Sequence, residues 1–216
     1  MLGTINLEVF IAAGLLLNVT PGADILFIAS RSAGQGMKAG IVAALGIGTG
    51  CFLHILFAAF GLSILLATSA LAFTAVKLAG GAYLVYLGLT TLASLCKKPK
   101  TGNKATPADV PPPLPLGRIF RQAILVNVLN PKVALFFMAF LPQFVAPDSD
   151  APALSFLFLG CLFDFNGTLV NILFAMGASK IAGTFRQCET LGKILKSAVG
   201  GLFVWLGVRL ALAAQR

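Results

Sequence analysis

Two proline-containing interruptions of apolar sequence hold most of the side chains that could do chemistry. The first reads Asn18-Val19-Thr20-Pro21-Gly22-Ala23-Asp24. Because proline has no backbone N–H, a continuous helix would leave the carbonyl of Leu17 without its usual donor. Inside a bilayer, such a carbonyl and an ionisable group are tolerated only where protein or a polar cavity surrounds them. The pattern predicts a cation site at Asp24, for a substrate ammonium group or a coupling proton. The alternative is an Asp24 that lies near a helix end and is simply solvated.

The second interruption contains Asn127, Asn130, Pro131 and Lys132. Pro131 would free the carbonyl of Asn127, and the two asparagines share a helical face. Lys132 is a candidate to hold a substrate carboxylate or to neutralise Asp24. One proline alone would suit a structural kink equally well. Two prolines, each flanked by asparagine and an ionisable residue, favour functional breaks whose freed carbonyls complete a polar site.

Asp164 is a second acidic candidate, because it lies near the middle of an apolar stretch. Polar or small residues recur around it at helical spacing and are predicted to face the interior of a helix bundle rather than lipid. These residues are Gly160, Gly167, Thr168 and Asn171.

The single histidine, His54, shares a helical face with Gly46 and Gly50 and is predicted to lie at a packed interface. A buried histidine is more often a hydrogen-bonded packing residue than a proton carrier. If His54 touched Asp164, however, the pair would form a plausible proton relay, because histidine titrates near physiological pH.

The elements that position these residues are predicted to be membrane-spanning helices. The chain has 216 residues, of which 58% are hydrophobic and 11% charged, and its mean hydropathy is +0.93. Soluble domains carry about 25% charged residues. Six apolar stretches reach the roughly 20 residues that cross a bilayer core: about 5–28, 40–66, 71–95, 122–145, 153–178 and 196–214. The first basic residue, Arg31, follows the first stretch, so we interpret that stretch as a retained helix and not a signal peptide.

Basic residues mark alternate loops. Loops one, three and five hold two, six and four of the 16 lysines and arginines, and loops two and four hold none. Because such residues mark the cytoplasmic side, both termini are predicted outside, with a proline-rich cytoplasmic loop at 96–121. The net charge of +9 then reflects topology and not nucleic-acid binding. A five-span or re-entrant arrangement ranks second.

An internal repeat relates the two halves of the chain. At an offset of 110, Pro21 falls on Pro131 and 50–54 falls on 160–164, and residues of the third stretch match the sixth at an offset of 119. Halves of three spans each must have opposite orientations. The fold class predicted is therefore an all-α polytopic membrane protein, a single transporter domain over 1–216, with six helices in a 3+3 inverted repeat (halves about 1–95 and 122–216). Helices one and four would be broken at Pro21 and Pro131, as in many secondary transporters.

Five segments resemble the LysE/RhtB family of amino-acid exporters: Thr20–Asp24, Ser30–Gly40, Lys77–Gly88, Asn130–Phe137 and Leu141–Phe144. The family commonly has Pro-Gly-Pro where this chain has Pro21-Gly22-Ala23. The resemblance implies proton-driven efflux of amino acids or close derivatives, of the lysine/arginine or homoserine/homoserine lactone/threonine type. It also implies the bacterial cytoplasmic (inner) membrane as location. The segment around Asp164 matches no family signature.

Three other functions stay open: a passive channel, an exporter of another small solute or a metal ion, and, less favoured, a membrane-embedded enzyme. Two inverted halves with broken helices suit alternating access better than a channel. The four widely spaced cysteines disfavour a metal site. One histidine and no HExxH or GxSxG motif disfavour an enzyme. The expected partners are a small-molecule substrate, protons and membrane lipid, with no cofactor or nucleic acid, and a homo-oligomer is left open.

Overall fold

The computed structural model describes residues 3–20, 22–96, 113–146, 149–180, 197, 200–205 and 207–208. This part of the chain is helical and contains no strand beyond one isolated bridge between Thr4 and Val145. The helices are α1 (Leu7–Val19), α2 (Ala23–Gln35), α3 (Met37–Phe57), α4 (Ser63–Thr68), α5 (Ala70–Cys96), α6 (Leu116–Val128), α7 (Pro131–Phe140) and α8 (Pro152–Lys180). A π-helical turn (Ala58–Leu62) joins α3 to α4, a 3-10 turn (Leu141–Phe144) follows α7, and residues 200–205 are helical.

Both predicted helix breaks are present. The first separates α1 from α2, which are bent by 50° relative to each other, and Gly22 there has an extended backbone with φ −139° and ψ −169°. The second separates α6 from α7. Pro131 is the first residue of α7, a position where the missing N–H of proline costs no helical hydrogen bond. Pro21 itself lies outside the described residues.

Two of the described helices are long and apolar enough to cross a membrane: Met37–Leu62, which continues through the π-helical turn, and Pro152–Ala178. The bent pair α1–α2 makes a third if it counts as one span. Helix α5 coincides with the predicted stretch 71–95, whereas most of the predicted stretch 196–214 falls outside the described residues. The all-helical class is confirmed, and the six-span inverted repeat stays a prediction.

The predicted loop 96–121 extends too far toward the C-terminus. Helix α5 ends at Cys96, one residue past the predicted stretch, and α6 begins at Leu116, so Arg118 and Arg121 belong to the first turns of α6. Both arginines are exposed. A helix does not have to end where its apolar stretch ends, because exposed polar residues extend it without burying charge.

Two apolar clusters form the core. One is aromatic and joins α1, α7 and α8 through Phe10, Phe136, Phe140, Phe156 and Phe163, with Phe203 of the last helical segment. The other consists mainly of alanine and isoleucine on α2, α3, α6 and α8. Small side chains let helix backbones approach closely, so these four helices can enclose polar residues from several directions.

Hydrogen bonds join segments that the basic-residue pattern predicts to lie on the same side. The N-terminal residues lie beside the segment after α7, where Ile5 N donates to Phe144 O at 2.9 Å. At the other end of the α1–α2 pair, Gln35 Nε2 donates to Leu114 O at 2.9 Å and Leu114 N donates to Gln35 Oε1 at 3.0 Å. Loop one therefore lies beside the end of loop three, and the N-terminus beside loop four. Which side faces the cytoplasm remains a prediction.

Candidate functional site

The two helix breaks meet at Asp24. Asn127 Nδ2 donates to Asp24 Oδ2 at 3.1 Å, and Asn130 Nδ2 lies 3.4 Å from each carboxylate oxygen. Asp24 is half-buried in the first turn of α2, and Asn127 is only 2% exposed at the end of α6. The carboxylate of Asp24 is therefore not held by solvent alone: amides from the opposite break donate to it.

A cavity of about 60 Å³ lies at this contact. One buried water needs roughly 10–15 Å³ by the same measure, so the cavity has room for several waters or a small solute. Its polar wall consists of Asn18, Thr20, Asp24, Asn127, Asn130, Asp164 and Asn171. Its apolar wall consists of Leu17, Ile25, Ile47, Val133, Phe136 and Phe163, with Gly22, Cys51 and Gly167 completing the lining.

Two helix N-termini border the cavity. Gly22, the N-cap of α2, lines it, and so does Asn130, which directly precedes α7. No side chain caps α2. The first N–H groups of a helix lack intrahelical acceptors and carry partial positive charge, so they attract anions. The cavity therefore combines a carboxylate, which attracts cations, with two helix ends that attract anions.

Asp164 reaches the same cavity from the middle of α8. Its Oδ1 accepts a long hydrogen bond of 3.5 Å from Thr168 Oγ1, and the buried Cys51 of α3 lines the cavity as well. Gly48 stands opposite, where a Cβ would lie 2.5 Å from Thr168 Oγ1 and 3.4 Å from Asp164 Oδ1. The glycine thus makes room for both side chains between α3 and α8, and the predicted inward-facing polar stripe is confirmed.

Two buried amide atoms at the cavity have no hydrogen-bond partner among the described residues. They are Asn18 Nδ2, a donor that lies against Gly167, and Asn127 Oδ1, an acceptor. Buried unpaired polar atoms are uncommon and cost about 1–3 kcal/mol each. One unpaired donor and one unpaired acceptor in the same cavity suit a ligand that carries both an anionic and a cationic group.

The sequence matches the family model described as LysE type translocator over residues 15–214. The chain belongs to the LysE type translocator family. The family resemblance predicted from the five motifs is thereby confirmed, and the apolar helices are those of a membrane transporter.

Relatives of this translocator align over nearly its whole length. An uncharacterized membrane protein of Pseudomonas aeruginosa is 33% identical, covering 98% of this chain and 97% of the relative. The leucine efflux protein of Salmonella typhimurium is 31% identical, with 97% and 96% covered. The homoserine/homoserine lactone efflux protein of the same species is 30% identical, with 94% and 95% covered. No solved structure matches the chain.

The carbonyls of Leu17 and Asn127, which were expected to lack a donor and to complete the polar site of the translocator, each accept a backbone hydrogen bond. The prediction of freed carbonyls is therefore wrong. Thr20 N donates to Leu17 O at 3.0 Å, and Asn130 N donates to Asn127 O at 2.9 Å. In each break a residue three positions on replaces the donor that proline removes. The side chains, rather than freed carbonyls, therefore form the polar wall.

His54 and Asp164 have different partners in the translocator. His54 Nε2 donates to the carbonyl of Asn127 at 3.1 Å, and its ring stacks on Phe137 with centroids 6.3 Å apart. Gly50 lies against Asn127 in the same interface. The predicted packed position of His54 is confirmed, and the conditional proton relay with Asp164 is not formed.

Two predicted site residues lie partly or wholly outside the described structure: Pro21 and the side chain of Lys132. Conversely, Cys51 is not among the predicted site residues, yet it lines the cavity together with Asp164. The signal available in the sequence was its place in the internal repeat, where Gly50-Cys51 aligns with Gly160-Cys161. Within the described residues, no three His, Cys, Asp or Glu side chains are grouped as a metal ion would require.

Proposed function

We propose that this translocator is a proton-coupled secondary exporter of amino acids or close derivatives in the bacterial inner membrane. The observation that carries the proposal is the meeting of two broken helices at Asp24, around a cavity walled by carboxylates and amides. Secondary transporters bind substrate at such paired breaks. The relatives named for leucine efflux and for homoserine/homoserine lactone efflux support the substrate class.

The substrate ammonium group binds Asp24, the acid at the junction of the breaks. The substrate carboxylate faces the N-termini of α2 and α7 and the unpaired amide of Asn18. The side chain of the substrate packs on the apolar wall, which includes Ile25 and Phe163. A neutral aliphatic side chain fits this wall better than a lysine or arginine side chain, whose charge would lose water there without a dedicated partner.

We also propose the six-span, 3+3 inverted topology for the single domain 1–216, with both termini outside. The same-side pairing of loop one with loop three supports it. A reporter enzyme fused after Arg216 tests the orientation. A reporter that is active only in the periplasm should be active in this fusion, and a reporter that is active only in the cytoplasm should be inactive. The reverse pattern would contradict the proposal.

The function is tested with purified protein in proteoliposomes and a panel of labelled amino acids. We expect leucine uptake into vesicles with an acidic interior, and much less uptake without the pH gradient. Transport that ignores the gradient and does not saturate would indicate a channel instead. Asp24→Asn should abolish transport while the protein still inserts, because the substituted amide cannot balance an ammonium charge. Asp150→Asn, at an exposed acid distant from the cavity in the chain, is the matched control and should transport normally.

A further inference from the structure

Two carboxylates share the cavity, and their hydrogen-bond partners are of different kinds. Asp24 accepts from the Nδ2 groups of Asn127 and Asn130. Asp164 accepts from the hydroxyl of Thr168. The difference matters because an amide nitrogen only donates, whereas a hydroxyl both donates and accepts.

The amide donors at Asp24 favour its ionised state. Each Nδ2 group donates to a carboxylate oxygen, and protonation of Asp24 would remove the charged acceptor. The start of α2 favours the ionised carboxylate as well, since Asp24 lies in its first turn. Asp24 is thus arranged to keep its charge throughout a transport cycle.

The hydroxyl partner of Asp164 fits both protonation states. The Thr168 Oγ1 group can donate to a carboxylate and accept from a carboxylic acid without any change of position. Asp164 also lies far from either end of the 29-residue helix α8, so no helix terminus favours its ionised form. The apolar rings of Phe163 and Phe136 line the same cavity.

We propose that the two acids divide the work: Asp24 binds the substrate ammonium group, and Asp164 carries the coupling proton. This inference rests on the proposed function. A proton from water outside the cell binds a carboxylate oxygen of Asp164 when the substrate has left, and the same O–H bond breaks toward cytoplasmic water when the next substrate arrives. No bond of the substrate changes.

Electrostatics within the cavity couples the two events. Both carboxylates line the same small cavity. With no substrate present, the charge of Asp24 favours proton uptake on Asp164; an ammonium group at Asp24 favours proton release. The other titratable groups described near Asp164 are Cys51 on α3 and the exposed Cys161 on its own helix, while α1 and α6 contribute only the uncharged Asn18 and Asn127.

The test separates exchange from gradient-driven transport in proteoliposomes. In counterflow, labelled leucine outside exchanges for unlabelled leucine inside at equal pH, which needs substrate binding but no net proton movement. We expect Asp164→Asn to keep most counterflow activity and to lose leucine accumulation driven by an acidic interior by roughly tenfold or more. Asp24→Asn should lose both, and Asp164→Glu should recover part of the gradient-driven accumulation.

The outcomes are distinct. If wild-type protein moves none of the amino acids tested, the proposed function fails. If wild type transports leucine but Asp164→Asn still accumulates it with the gradient, or loses counterflow as Asp24→Asn does, the assignment of the proton to Asp164 is overturned. If Asp164→Asn does not insert, Thr168→Val is used in its place. The quantity measured is the ratio of gradient-driven accumulation to counterflow. That ratio should be lower in Thr168→Val than in the wild type, and an unchanged ratio would overturn the assignment.

Discussion

Gly48→Ala should damage the contact between α3 and α8 at the cavity. The new Cβ would stand 2.5 Å from Thr168 Oγ1, well inside van der Waals contact. Threonine is stiff at χ1, and a rotation that relieves the clash breaks its bond to Asp164. Overpacking of this kind costs about 1–3 kcal/mol of unfolding free energy. We also expect slower leucine transport, because Asp164 loses its hydroxyl partner.

Three further variants identify the clash as the cause. Gly177→Ala, on a regular part of α8 where a Cβ meets nothing within 4 Å, should be neutral or stabilise by up to about 1 kcal/mol. Thr168→Ala removes the atom nearest to the new Cβ. The double variant Gly48→Ala/Thr168→Ala should therefore be more stable than the two single effects predict, by about 1 kcal/mol.

The measurement is equilibrium unfolding in mixed detergent micelles for the wild type, the three single variants and the double variant. Additive effects, within roughly 0.3–0.5 kcal/mol, would refute the packing of Gly48 on Thr168. Equal destabilisation by Gly48→Ala and Gly177→Ala would refute it as well, because the cost would then come from the helix backbone and not from the cavity.

Other variants test the walls of the cavity and the contact between the loops. Asn127→Ala should raise the KM for leucine by about tenfold, since it removes a hydrogen bond to a charged group. Asn130→Ala should raise the KM less, because its contacts to Asp24 are longer. Equal effects of the two variants would contradict the geometry. Phe163→Ala should enlarge the apolar wall and improve transport of phenylalanine relative to leucine in competition assays, and an unchanged preference would place the substrate side chain elsewhere. Gln35→Ala should speed amide hydrogen exchange at Leu114, where the backbone N–H loses its acceptor, and unchanged protection would show that loop one does not hold loop three.

The helix breaks could be predicted from sequence because their causes are local. Proline and glycine impose their backbone effects wherever they occur, so the break near Gly22 and the one before Pro131 follow from residue type alone. The internal repeat then indicated that the two breaks belong together. In the structure, the two breaks are in contact through the hydrogen bonds from Asn127 and Asn130 to Asp24.

What could not be predicted depends on how helices pack. His54 lies on the expected face of α3, but that face packs on α6 through Gly50, so its partner is the Asn127 carbonyl and not Asp164. Cys51 lies beside Asp164 for the same reason: the rotation of α3 against α8 is set by glycines that allow close approach. The freed carbonyls failed as a prediction because the nearest amide in each break takes the place of the missing donor.

The assignment of one proton to Asp164 has a consequence for the energy source. A zwitterionic amino acid carries no net charge, so exchange of one amino acid for one proton moves one positive charge inward in each cycle. The membrane potential then drives export together with the pH gradient, and about 2.3 kcal/mol is available per 100 mV. At about 1.4 kcal/mol for each factor of ten, that term alone supports a concentration ratio of roughly fifty across the membrane. A cationic substrate such as lysine would carry its own charge outward and cancel this contribution, so the apolar wall of the cavity, by favouring neutral side chains, also lets the exporter draw on the membrane potential.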